Sequence, residues 1–156
     1  MKIKVSDVIA RFLKEKNIKV VFGIIGSANS HIFDSINNLG FTKIVNIHHE
    51  QVAVMAAGAY FRTSGKLSAA IVTAGAGASN AITGVISNWA DSIPCLIISG
   101  QEPIRYVNKH ESLRMYGTQG FNIVKMVKDI VKYGVSILDS KQIYTELAES
   151  YRNTTE

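Results

Sequence analysis

The 156-residue chain has little of several things. It has one cysteine, Cys95, and two prolines. A single thiol excludes a disulfide framework and points to a reducing cytoplasm. Aromatic residues make up 8% and charged residues 19%. No apolar run reaches the roughly 18–20 residues that a membrane span needs. The first residues, "MKIKVSDVIARFLKEK", spread their charges and lack a cleavage-site pattern, so they do not read as a signal peptide. There is no internal repeat and no low-complexity segment. What the chain does have is apolar material, 47% of its residues, which is enough for a packed core and argues against disorder.

The net charge is +5. The lysines are scattered (Lys2, Lys4, Lys14, Lys16, Lys19), apart from Lys125, Lys128 and Lys132, whose spacing predicts one helical face. Nucleic-acid surfaces concentrate charge and interleave aromatics. This pattern does neither, so the lysines read as solvated faces and no nucleic-acid partner is expected.

Short β-rich apolar runs alternate with longer helical patterns. "SDVIARFLKEKN" predicts a helix capped by Ser6, with Val8, Ile9, Phe12 and Leu13 on one face. Strands are predicted at 19–24, 43–47, 67–75 and 94–100, and a short one near "YGVSIL" (133–138). Helices are predicted at 30–40 and 50–65, each stopped by a glycine (Gly40, Gly65), and at 78–92. "IVKMVKDIV" and "QIYTELAESYRN" predict two more. Strand-helix alternation with apolar strands is the pattern of an α/β domain, a parallel sheet covered by helices on both faces. In such sheets ligands gather at the carboxyl ends of the strands. The conspicuous residues fall there: Gly23–Asn29, His48–Glu50, Gly75–Asn80 and Gly100–Gln101.

Each candidate has a plain structural alternative. "TAGAGASN" (73–80) has glycines that let a backbone approach a ligand. It lacks the third glycine of a dinucleotide fingerprint and the Lys-Ser/Thr pair of a P-loop, so it also reads as a tight packed turn. His48 and His49 are adjacent and point apart, so they do not form a metal pair. One is expected to cap or pack, the other to be solvated. Cys95, inside "IPCLIIS", reads as inert core. Trp89, Phe22, Phe33 and Tyr60 read as core or interface. Glu50 opens "EQVAVMAAGAYFRTSG". The helix dipole favours a negative charge there, burial opposes it, and local sequence does not separate a helix-end charge from a catalytic carboxyl.

Taken together, "FGIIGSAN" (22–29), "HEQVAVMAAGAYFRTSGK" (49–66) and "TAGAGASNAITGVISNWADSIPCLIISGQ" (73–101) resemble the N-terminal pyrimidine-binding domain of thiamine-diphosphate enzymes, in the acetolactate synthase-like branch. The resemblance runs from about residue 5 to the end of the chain. It implies that Glu50 hydrogen-bonds N1′ of the cofactor's aminopyrimidine, so that the cofactor attacks a 2-keto acid, carbon dioxide leaves and the remainder joins an acceptor. It further implies cofactor contacts at Ile24, Gly26, Ala76 and Asn80, and a glutamine, Gln119, that reaches cofactor or substrate. Ile25 replaces the proline of the first turn, "TAGAG" replaces Thr-Ser-Gly-Pro-Gly, and "KHESLRMYGTQGFNI" departs from the synthase loop. The acceptor is therefore open, a sugar-nucleotide ketone included.

The family holds Mg²⁺ and the diphosphate on a second domain with a Gly-Asp-Gly run, which these residues lack. Residues 1–156 are therefore expected to be one domain of a longer enzyme, or of a split one whose diphosphate-binding domain is a separate chain. The resemblance also implies at least a homodimer, and FAD is possible in the full enzyme. Two other readings stand beside it: a nucleotide-binding doubly wound module, for which Asp91 falls too early as a ribose partner, and a non-catalytic interaction domain, which would not need Glu50.

Overall fold

The computed structural model describes residues 3–107 and 113–156; Lys2 and residues 109–112 of the loop singled out above lie outside them. The chain runs α1 (Val5–Glu15), β1 (Val20–Gly23), α2 (Ser30–Leu39), β2 (Lys43–Asn46), α3 (Glu50–Ser64), β3 (Ala69–Val72), α4 (Ala76–Asn80), α5 (Ile82–Ala90), β4 (Leu96–Ser99), α6 (Ile123–Val127) and α7 (Ile143–Thr155). Two 3₁₀ turns, Lys128–Ile130 and Ser140–Gln142, complete it.

The four strands form a parallel sheet in the order β2-β1-β3-β4. β3 is central and all four of its residues are buried, as its unbroken apolar run requires. Alternate residues face opposite sides. Val21, Ala69, Ile71, Leu96 and Ile98 meet α1, α2 and α7 in one core. Ala70 and Val72, with Phe22 and Ile97 beside them, meet α3, α4 and α5 in the other. Phe12 anchors the first core, 1% exposed, with Tyr144 and Tyr151 edge-on at 5.9 and 6.2 Å. Burying such a side chain contributes about 1.5–3 kcal/mol.

In the second core small residues set the spacing. Ala53, Ala57 and Gly58 are buried on α3. The Asn88 side chain of α5 lies across Gly58 and donates to the Val54 carbonyl at 3.1 Å. This contact locks α3 to α5, and through α3 it fixes where Glu50 stands.

Several local expectations are corrected. The N-cap of α1 is Lys4, with no side-chain cap, because Ser6 is buried and its hydroxyl accepts from Ser35 Oγ at 2.9 Å. The helix expected over 78–92 starts at Ala76 and divides at Ala81 into α4 and α5. No strand forms at 133–138: Ile137 packs on the core, the Tyr133 hydroxyl bonds Glu146, and Val135 and Leu138 stay exposed. Lys125, Lys128 and Lys132 do not share one helix, since α6 ends at Val127. Of the two readings of Trp89, core or interface, the core one falls, since it is 47% exposed and outside both cores. The glycine stops hold: Gly40 and Gly65 end α2 and α3 in the left-handed conformation.

Candidate functional site

The strand order sends the chain outward from β1 to β2 and then back across to β3. The topological switch lies between β1 and β3, and the loops leaving their carboxyl ends define the cleft. Asn29 fixes the first loop. It is 1% exposed, its Oδ1 accepts from Gly26 N at 2.7 Å and its Nδ2 donates to the Ile24 carbonyl at 3.0 Å. The loop after β3 turns at Gly75, whose φ of 64° and ψ of −128° favour glycine. A methyl group there would run into the Gln119 carbonyl.

Glu50 opens α3, directly after His49, whose Nδ1 accepts from Gln51 N at 3.2 Å and so caps the helix. His48 is exposed. This is the division of roles expected for the pair. Glu50 itself is 9% exposed. Its Oε2 accepts from Asn80 Nδ2 at 3.1 Å, at the far end of α4. Its Oε1 has no side-chain or backbone donor among the described residues and faces Gly77, where an added methyl would stand 2.8 Å away. Thr73 is wedged between the two turns. Its hydroxyl is buried without a partner among the described residues, and a methyl on Gly26 would come within 2.6 Å of it.

These features test the fit of the aminopyrimidine that the resemblance implies. A sheltered carboxylate with one oxygen tied and one free can bond a ring nitrogen. The missing side chain at Gly77 leaves that oxygen open. The fit is good. No three His, Cys, Asp or Glu side chains gather as a metal site among the described residues.

The sequence candidates separate as follows. Glu50 and Asn80 are joined directly, although Asn80 is otherwise exposed. Gly26 abuts Thr73 in the same cleft, and Ile24 lends its carbonyl to Asn29. Ala76 is exposed at the start of α4. Gln119 is half-buried, packs on Gly75 and has no hydrogen bond to Glu50. Cys95 precedes β4, and burial pushes its thiol up to about 12, so it is inert as expected. Asn29, Thr73 and Gly77 lay within segments that the sequence marked but had no individual role there, and Glu102 was not singled out. Asn29 had a signal, an asparagine three residues after a glycine in a turn. Thr73 had a weaker one, a hydroxyl ending an apolar strand.

The model of the family described as "Thiamine pyrophosphate enzyme, N-terminal TPP binding domain" matches residues 3–127, a span that contains all of this cleft. The acetolactate synthase large subunit of Haemophilus influenzae is 40% identical over 100 residues, 64% of this chain and 18% of the relative. The acetolactate synthase large subunit of Lactococcus lactis subsp. lactis is 31% identical over 146 residues, 94% of this chain and 24% of the relative. The chloroplastic acetolactate synthase of Arabidopsis thaliana is 30% identical over 151 residues, 95% of this chain and 21% of the relative. The chain thus spans about a fifth of the length of the curated relatives it matches. With a parallel sheet, a switch-point cleft and a family match over most of its length, the chain belongs to the N-terminal TPP-binding domains of thiamine pyrophosphate enzymes.

Proposed function

We propose that this chain is the pyrimidine-binding domain of a thiamine-diphosphate enzyme that decarboxylates a 2-keto acid and ligates the product to an acceptor, as the named acetolactate synthase relatives suggest. The observation that carries this reading is Glu50, with Oε2 held by Asn80 and Oε1 left open beside Gly77. When bound, the cofactor supplies the carbanion chemistry and the electron sink. The chain supplies the proton control. Glu50 holds a proton at the ring nitrogen N1′, and Asn80 keeps the carboxyl from rotating away. The closely packed turns at Gly26 and Gly75–Gly77 narrow the cleft, and lower water access strengthens each hydrogen bond inside it. Ile24 and Ala76 supply apolar contact at its walls, and Gln119 reaches cofactor or substrate from above Gly75.

The diphosphate and Mg²⁺ belong to a further domain, in the same or a separate chain, because the Gly-Asp-Gly run is absent here. The domain alone is inactive. FAD belongs, where present, to the rest of the enzyme. At least a homodimer is supported by exposed Val52 and Met55 on α3 and Ile86 and Trp89 on α5. Among the described residues no helix is long and apolar enough to cross a membrane, and the single thiol supports a cytoplasmic setting.

The test uses the full natural protein with thiamine diphosphate, Mg²⁺ and pyruvate. Carbon dioxide release is expected in the wild type and is expected to fall by roughly a hundred-fold or more in Glu50→Gln, the scale of acid–base catalysis. Release that survives the substitution contradicts the role of Glu50. Bound cofactor with no release in either protein moves the question to another keto acid.

A further inference from the structure

Gln119 lies in a short strap that packs on Gly75 and, among the described residues, makes one hydrogen bond to a side chain outside it. Tyr116 and Gly120 pair in an antiparallel bridge, with Gly120 N to Tyr116 O at 2.8 Å and Tyr116 N to Gly120 O at 3.1 Å. Gly117, at the top of this turn, has a φ of 61°. The turn is laid over the carboxyl edge of the sheet, with the Gln119 carbonyl against Gly75. The side chain that meets it from below is Glu102. Its Oε1 accepts from Gln119 N at 3.2 Å, and a methyl on Gly117 would stand 2.5 Å from its Oε2. Glu102 follows β4 by three residues. The intervening Gly100 continues the sheet, donating to the Val72 carbonyl at 2.8 Å, and packs on Ala28 of the first loop. The carboxylate therefore stands two residues past Gly100, the last backbone tied to the sheet, and grips the turn across from it. Tyr116, in the same turn, has its phenol pushed up by burial and secondarily by the Glu102 charge, which fits a carboxylate facing the turn.

We propose that Glu102 is a positioning residue: by accepting the Gln119 backbone N–H and filling the space under Gly117, it holds the strap closed so that Gln119 stays over the Gly75 turn of the cleft. The role rests on the reading of Gln119 as a residue that reaches cofactor or substrate. A loop held by one charge-assisted hydrogen bond opens when that bond is lost. A Gln side chain keeps an oxygen acceptor at the same reach, while Ala removes it.

The experiment compares Glu102→Ala, Glu102→Gln and Gln119→Ala in the full natural protein. Two quantities are read: amide hydrogen exchange across residues 116–120, and the affinity for thiamine diphosphate with Mg²⁺ by calorimetry alongside KM for pyruvate. In Glu102→Ala, exchange is expected to speed up roughly ten-fold or more, and affinity or KM to worsen in the same direction as in Gln119→Ala. Glu102→Gln is expected to stay close to wild type in both. Unchanged exchange in Glu102→Ala overturns the proposal. So does faster exchange with unaltered affinity and KM while Gln119→Ala worsens either. If Gln119→Ala changes neither quantity, the positioning role falls together with the reading of Gln119, and the exchange data still report whether the clamp exists.

Discussion

Asn29 uses both ends of its buried amide on one turn, and the turn it holds carries Ile24 and Gly26. Replacing it by alanine leaves the Gly26 N–H without its partner and opens a small void. The expected cost is about 1–3 kcal/mol in unfolding free energy, read by urea denaturation, with weaker cofactor binding in the full protein. A denaturation midpoint equal to wild type would remove Asn29 from this account. Neighbouring residues show how far single positions can be read. The two histidines divided their roles as adjacency in the chain dictates. Glu50 did not declare itself locally. Its partner Asn80 lies thirty residues on, and no local pattern couples them. Only the family resemblance named both, and only the fold joins them.

At the scale of elements, the glycines after α2 and α3 were legible because a left-handed residue ends a helix in a way that few side chains allow. The four strands were legible from short apolar, β-branched runs, clearest in β3, which is buried throughout, and least in the edge strand β2, whose Lys43 and Asn46 are exposed. The break between α4 and α5 was not. "ASNAITG" holds weak helix formers (Ser79, Asn80, Thr83, Gly84) spread along it, so propensity does not single out Ala81 as the break, and the bend goes with tertiary packing, where Ala78 and Ala81 are both drawn into the core. The expected strand at 133–138 failed for a related reason. Its alternation is real, but only one of its side chains gains a core contact. Helix α4 also carries the sharpest test at this scale. A methyl at position 77 would press on Thr73 and stand 2.8 Å from Glu50 Oε1. Gly77→Ala is therefore expected to move the carboxyl and lower activity by roughly a hundred-fold, the cost of about 1 Å of misplacement. The crowding against Thr73 is also expected to lower the melting temperature by several degrees, the effect of about 1–3 kcal/mol of overpacking. Full activity in this variant would show that the open oxygen beside Gly77 has no function.

As a whole molecule, the domain has two cores, one on each face of a thin parallel sheet. The helices α3 and α5 that cover the second core still present Val52, Met55, Ile86 and Trp89 to solvent. Arg62 and Asp91 form an ion pair at the far ends of the same two helices. These exposed apolar residues on two neighbouring helices predict self-association, and sedimentation of the full protein is expected to give a dimer or larger species. A clean monomer at high concentration would contradict that expectation. The central claim is narrower: the carboxyl group of Glu50 controls a proton on the bound cofactor. The most direct measurement is the rate of hydrogen–deuterium exchange at the thiazolium C2 position of thiamine diphosphate, bound with Mg²⁺ to the full protein, in wild type and in Glu50→Gln. The account predicts exchange in the wild type at least roughly a hundred-fold faster than in the variant. Equal rates, with the cofactor bound in both, would contradict it.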